Sequence, residues 1–260
     1  MFSTTEITSH NDTSDNVIHQ RLLFAYVKAA EIVKGNVLEI GCGAGRGLQL
    51  LLEKCAAYTG VDKNRKLLAH HRQQYPQHTF MEHNIPPLHF LPDNSFDFVV
   101  SFQVIEHIQN DGLFLEEIYR VLKPGGSALV TTPNIRMSLT RNPWHVREYT
   151  DQELSAISKK YFEQVDLKGV AGNEKVMAYF EENKASVQKI TRLDVLNLQY
   201  RLPRRVLQVP YDVLNRLNRQ RLKQKNGQLV TEVSTADYSL TEKTASAFDF
   251  FCVMEKQPGA

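Results

Sequence analysis

Val37-Leu38-Glu39-Ile40-Gly41-Cys42-Gly43-Ala44-Gly45-Arg46-Gly47 decides how this chain is read. Asn36 to Ile40 is a short apolar run that predicts a buried strand, and it ends in a turn of alternating glycines. Leu48, Leu51 and Leu52 then fall at helical spacing. Strand, glycine turn and helix in that order make the ligand-facing corner of an open α/β sheet. Two patterns compete for the turn. The dinucleotide fingerprint G-x-G-x-x-G, started at Gly41, needs a glycine where Arg46 stands. The pattern present is G-x-G-x-G, with the acid Glu39 two places ahead of it. Glycine lets the backbone pass close to a ligand with no Cβ in the way. A carboxylate beside that loop repels a pyrophosphate and favours a ligand bearing positive charge, such as a sulfonium with an ammonium group. Cys42 is read as a small filler and not as a reactive thiol.

The pattern continues on both sides. Upstream, Ile18, Leu22, Tyr26, Ala29 and Val33 predict a helix over 17–33, stopped by Gly35. Downstream, Tyr58–Val61 reads as a second strand ending at Asp62, and Lys63–Gln74 as a helix. Thr79–Glu82 and Phe96–Ser101 read as strands three and four, Asp111–Leu122 as a helix, and Ala128–Thr132 as strand five. Strands alternating with helices over short connections predict a doubly wound, mostly parallel sheet covered on both faces. Right-handed crossovers place the strand C-termini on one edge. The glycine turn, Asp62, Asn84, Gln103 and the segment after Thr132 therefore line one crevice. Asp62 lies at the distance from the loop used to hold ribose hydroxyls, and its carboxylate can accept from both the 2′ and 3′ groups. In the alternative, the glycines only make a tight turn and Asp62 caps the next helix.

These motifs, in this order, resemble the class I S-adenosylmethionine-dependent methyltransferases. The resemblance covers roughly 17–170 and a final strand near Phe248–Glu255. It rests on VLEIGCGAGRG, Val61-Asp62, Phe96-Asp97-Phe98-Val99-Val100, Gln103-Val104-Ile105-Glu106-His107 and Leu122-Lys123-Pro124-Gly125-Gly126. It implies a Rossmann-like fold with a seven-stranded sheet, S-adenosylmethionine as cofactor and S-adenosylhomocysteine as product. It places Glu39, Gly41, Cys42, Gly43, Gly45, Asp62, Lys63, Asn84, Ile85 and Gln103 around that cofactor. In the family the residue ending strand three is often an Asp that bonds the adenine amino group. Here it is Asn84, whose amide oxygen can accept the same bond. Gln103 borders the methionine end, while Asp97 is read as structural.

Methyl transfer from a sulfonium is an in-line displacement, so alignment and exclusion of water do most of the work. A hydroxyl acceptor must also lose a proton, which calls for a base. His107 after strand four and His145 after strand five are the candidates. Against them, His107 can simply pack the short helix near Gln103, and Trp144 can plug the core with His145 and Arg147 at its rim. His70, His71 and His83 fit no ligand spacing, so no metal is expected. Asn142-Pro143-Trp144-His145-Val146-Arg147-Glu148-Tyr149-Thr150 resembles methyltransferases associated with polysaccharide and lipopolysaccharide biosynthesis, which implies a sugar hydroxyl or a terminal glycan phosphate as acceptor. Related enzymes act on quinone precursors and other small molecules. A protein or tRNA methyltransferase and a non-catalytic binding protein stay open as alternatives.

The net charge of +2 offers no basic excess for nucleic acid, and none is expected as partner. Three cysteines without a CxxC pair speak against a disulfide framework or structural zinc. Residues 1–16 are polar, lack an apolar stretch and are expected to be disordered, without a secretory signal. A cytoplasmic location is the expectation. Residues 17–171 are taken as the cofactor-binding core, 172–244 as a helical insertion or lid, and 245–260 as the last strand and tail. Within the insertion, 176–180 and 187–196 predict two amphipathic helices. From Arg201 to Lys225 there are eight basic residues and one acid, Asp212, on a helical pattern that Pro210 interrupts. Such a helix either touches an anionic membrane peripherally or covers the acceptor site, with its apolar stripe packed on the sheet domain.

Overall fold

A computed structural model describes residues 12–194 and 196–259. The chain alternates as predicted: α1 (Asn16–Ala30), β1 (Asn36–Ile40), α2 (Leu48–Leu52), β2 (Ala57–Asp62), α3 (Arg65–Gln74), β3 (Thr79–Glu82), β4 (Phe96–Phe102), α4 (Asp111–Val121), β5 (Leu122–Pro133), α5 (Asp151–Ser158) and β6 (Gln164–Gly172). Four helices follow, α6 (Glu174–Thr191), α7 (Leu198–Arg201), α8 (Arg204–Lys225) and α9 (Gly227–Glu232), before β7 (Tyr238–Thr241) and β8 (Asp249–Glu255). The strand order is β3-β2-β1-β4-β5-β8-β6-β7. β3, β2, β1, β4 and β5 run parallel, and β8 lies antiparallel between β5 and β6. The sheet has eight strands where seven were predicted, because the short β7 adds to the free edge of β6.

Central strands buried on both faces must be apolar throughout, and Val37, Leu38 and Ile40 of β1 are fully buried. One face is covered by Phe24, Tyr26 and Ala29 of α1, Leu51 of α2, Leu68 of α3 and Val176 of α6. The other is covered by Phe114, Leu115, Ile118 and Val121 of α4 and Leu154 of α5. Caps fix where helices begin. α3 starts at Arg65 and not at Lys63, because Asn64 adopts an extended backbone and accepts bonds from the amides of Lys66 and Leu67. Thr150 and Glu153 form a capping box on α5.

Three further expectations are corrected. One 18-residue helix, α6, replaces the two predicted over 176–196. α8 continues through Pro210, which lies on its exposed outer side; only the bond that the ring nitrogen cannot donate is lost. The residues just before α1 are held in place rather than loose, since Asp12 and Asp15 accept from Arg216 at 2.7 and 3.1 Å, and Asp15 also accepts from Arg219 at 2.9 Å. Expected disorder over 1–11 lies outside the described residues.

The connection from β3 to β4, which carries Asn84 and Ile85, is anchored on α4. Glu117 accepts from the Leu88 amide at 2.5 Å and from Arg120 Nε at 2.7 Å, and Arg120 donates onward to the carbonyls of Leu88 and Leu91. The Arg120 bond, opposed by burial and helped by the Leu88 amide, holds the Glu117 carboxyl below the ordinary glutamate range. A depressed folded pKa stabilises the protein above the ordinary range, and that stability is lost as pH falls through the folded value. Glu117→Gln is therefore expected to lower unfolding free energy by about 1–3 kcal/mol at neutral pH, measured by urea denaturation. The gap to the parent protein should narrow once pH drops below the ordinary glutamate range; a pH-independent gap would refute the assignment.

Candidate active site

Strand order reverses between β1 and β4, so the loops leaving these two strands flank the switch point where open sheets bind ligands. They touch there: a Cβ added at Gly41, whose φ is +80°, would stand 2.4 Å from Val104 Cγ2. Gly45 is equally confined, 2.8 Å from the His71 ring at its Cβ position. Gly43 differs, for its Cβ position meets nothing nearer than the Gly41 oxygen at 3.9 Å. That open space over a backbone turn is the cradle a ligand needs.

The cradle is held from below and behind. Asp62 Oδ2 accepts from the Gly43 amide at 2.9 Å and Oδ1 from the Asn64 amide at 2.7 Å. Each carboxylate oxygen keeps a second lone pair, so Asp62 can secure the loop and still accept ribose hydroxyls. His71 Nε2–H donates to the Gly43 carbonyl at 2.9 Å; this buttress from α3 was not foreseen, because it joins residues 28 apart. Cys42 is buried and packs toward Gly60 of β2, and burial pushes its thiol far up, in line with a filler role. Lys63 and Asn84 are exposed at the ends of β2 and β3, with Ile85 half-buried beside them. Gln103 has a φ of +58° and donates to Thr131 Oγ1 at 3.3 Å.

Glu39 sits differently from its expected position beside the ligand. It is buried beneath the loop, and its two oxygens accept from Tyr26 at 2.7 Å and Tyr58 at 2.5 Å. Burial pushes its pKa up, with the two phenols pulling it back. The carboxyl thus holds α1, β1 and β2 together under the turn. Asp97 has the structural role expected, accepting from the Asn36 amide at 2.7 Å and from Lys123 at 2.9 Å.

Beyond Gln103 a cavity of about 270 Å³ opens between the strand ends and the helices α1, α6 and α8. Glu106, His107 and His145 line it. The His107 and His145 rings meet edge to face at 5.0 Å. His107 Nδ1 faces the Trp144 carbonyl at 3.1 Å, so that nitrogen carries the proton and Nε2 the lone pair. Nε2 lies 4.0 Å from Oε1 of Glu106, whose other oxygen accepts from Thr132. His145 is held on both sides. Asn142 Oδ1 accepts from the Trp144 amide, which turns its NH₂ toward His145 Nε2 at 2.8 Å, and His145 Nδ1–H donates to Glu148 at 2.6 Å. Arg147, grouped with His145 in the sequence, points elsewhere, pairing with Asp111 at 3.1 Å and lying over the Tyr149 ring.

The histidines weighed as metal ligands are dispersed: His71 supports the loop and His83 stacks on Phe90 at 3.6 Å. A different grouping, which the sequence did not single out for ligation, forms at the strand ends. Glu106, His107 and His145 present ligand atoms within 4.8 Å of one another, a grouping able to hold a metal ion. Sequence reasoning also missed Arg21 and Asp249, which pair at 3.0 Å near Gln103. They are joined across almost the whole chain, and no local pattern marks them.

Residues 38–130 match the family described as a methyltransferase domain. That segment holds the glycine turn, Asp62 and strands β1 to β5, and it is the part of the chain that is similar to S-adenosylmethionine-dependent methyltransferases. Among its relatives, a probable S-adenosylmethionine-dependent methyltransferase of Mycolicibacterium smegmatis is 40% identical over 160 residues, covering 59% of this chain and 60% of that protein. The phthiotriol/phenolphthiotriol dimycocerosates methyltransferase of Mycobacterium leprae is 30% identical over 141 residues, covering 53% of this chain and 51% of its own length. The matched region thus spans little more than half of these relatives. A solved S-adenosylmethionine-dependent methyltransferase from Thermotoga maritima shares the fold at a TM-score of 0.58 and 17% identity, covering 94% of this chain and 93% of that one.

Asp62→Ala should remove both the brace on Gly43 and the acceptor for ribose. The expected loss is about 2–4 kcal/mol of S-adenosylhomocysteine binding, read by calorimetry on the folded variant. Unchanged affinity would take Asp62 out of the site.

Proposed function

We propose that this chain is an S-adenosylmethionine-dependent methyltransferase that methylates a hydroxyl of a small molecule or glycan, with His107 as the base. The observation that carries the reading is the 270 Å³ cavity that sets Glu106, His107 and His145 at the strand ends, beyond Gln103 from the glycine turn. Gly43, Asp62, Asn84, Ile85 and Gln103 are the residues that would hold the cofactor, with Lys63 at the rim. When bound, the cofactor supplies an electrophilic methyl on a sulfonium. The rest is positioning and proton handling by the chain. The Trp144 carbonyl fixes the His107 tautomer, so Nε2 can take the acceptor's proton. Glu106, buried and 4.0 Å away, stabilises the imidazolium that results. His145, with Asn142 and Glu148 on its two nitrogens, orients rather than abstracts.

The cavity is near the small end of ligand sites, which span about 300–1,000 Å³. That size suits a small acceptor or a terminal sugar and not a folded macromolecule. Its wall is mixed, with amides and hydroxyls of Ser138, Thr140, Asn183 and Asn215 beside apolar Ile18, Leu22, Met137 and Phe180, a lining suited to an acceptor that has both hydroxyl and apolar faces.

The assay is transfer of labelled methyl to a panel of sugar and phenolic acceptors. His107→Ala should lower kcat by about 10²-fold or more with cofactor affinity intact, and His145→Ala by about 10-fold. A His107→Ala variant at full speed would remove the base. Activity should survive exhaustive chelation. Loss under chelator, restored by a divalent ion, would make the Glu106–His107–His145 group a metal site and replace the base mechanism.

A further inference from the structure

α8 is amphipathic in the reverse of the usual sense. A lid helix normally turns its apolar stripe inward and its charges to water. Here Val206, Val209, Pro210, Val213, Leu214 and Leu217 are all exposed, Val209 at 71% and Leu217 at 57%. These positions recur every three or four residues and form one stripe along the outer side. A set of polar residues on the opposite side faces in. Tyr211, Asn215, Asn218 and Arg219 line the cavity, and Asp212 accepts from Trp144 Nε1 at 3.2 Å. The stripe is therefore not the packing surface expected from the sequence, since none of the described residues covers it. The preceding connection adds exposed Leu196, Leu198 and Tyr200.

We infer that this outer face docks on an anionic lipid bilayer. Exposed Arg201 and Arg205 stand at one end of the stripe and exposed Arg221 at the other, while the only acid of the segment, Asp212, is turned inward. Apolar residues flanked by cations fit the interface of a bilayer carrying negative headgroups. A second copy of the chain fits less well, because a twofold contact through this stripe would bring the same arginines together. Among the described residues no helix is long and apolar enough to cross a membrane, so α8 would lie along the surface. With its inner side on the cavity, the docked helix would set that cavity against the bilayer, as a lipid-anchored acceptor requires. That last step rests on the cavity being the acceptor site, but the docking does not.

Flotation of the whole chain with vesicles of phosphatidylcholine alone, and of phosphatidylcholine with phosphatidylglycerol, tests the inference. Binding is expected to the anionic vesicles at low salt and to fall as salt screens the arginines. The double variant Val209→Glu with Val213→Glu should reduce the partition by about tenfold or more, with affinity for S-adenosylhomocysteine unchanged as the check on folding. Three results would overturn the proposal: no flotation at low salt, flotation undiminished in the variant, or a dimer in light scattering that the same variant dissolves. Cofactor affinity, measured separately, distinguishes failure of the membrane surface from failure of the methyltransferase reading.

Discussion

Everything at this site depends on a backbone turn that has almost no side chains of its own. Gly41, Gly43 and Gly45 all have positive φ, and the turn must keep its amides and carbonyls satisfied while leaving one side open. Neighbouring elements supply the missing groups. Asp62 from the end of β2 takes the Gly43 amide, and His71 from α3 takes the Gly43 carbonyl. Under the turn, Glu39 joins Tyr26 of α1 to Tyr58 of β2. A buried carboxylate is costly unless its oxygens are bonded, so this one fixes the relative placement of three elements. The cradle is rigid because its supports come from four different parts of the chain.

The same dependence on distant partners shapes the second half of the site. Glu106 and His107 sit in a short turn after β4, whose Glu106 carbonyl accepts the amides of Val146 and Arg147. The loop 142–148 is thereby drawn over the strand ends, and His145 is brought to 5.0 Å from His107. Arg204 at the start of α8 donates to the His145 carbonyl at 3.0 Å, and Arg141 reaches the Gln199 carbonyl at 3.0 Å. The helical segment after β6 is thus tied to the histidine loop itself and does more than cover it.

α8 also illustrates how burial reverses an inference drawn from periodicity. The spacing of Val206, Val213, Leu214 and Leu217 is that of an ordinary amphipathic helix, and ordinary amphipathic helices bury that stripe. The polar side is instead needed at the cavity, where Asn215, Asn218 and Tyr211 stand, and at Asp15, which is fully buried and takes both Arg216 and Arg219. A buried acid has to be paired. Satisfying it holds the basic side of α8 inward and leaves the apolar side outside.

The alternation of strands and helices, the glycine turn, Asp62 and the approximate bounds of the parallel strands were all readable from the sequence. Each is encoded within a few residues, by apolar runs, turn glycines and a spacing that follows from the βαβ unit. The two histidines were readable as candidates, since each follows a strand whose C-terminal end must face the crevice. Tertiary structure decided how they are held there. The Trp144 carbonyl sets the proton on His107, and Asn142 and Glu148 engage both nitrogens of His145. It likewise buried Glu39 between two tyrosines under the turn, paired Arg21 with Asp249 and added β7 to the sheet edge. These outcomes depend on which groups from remote segments compete for the same buried donors and acceptors, and no local pattern of residue types records that competition.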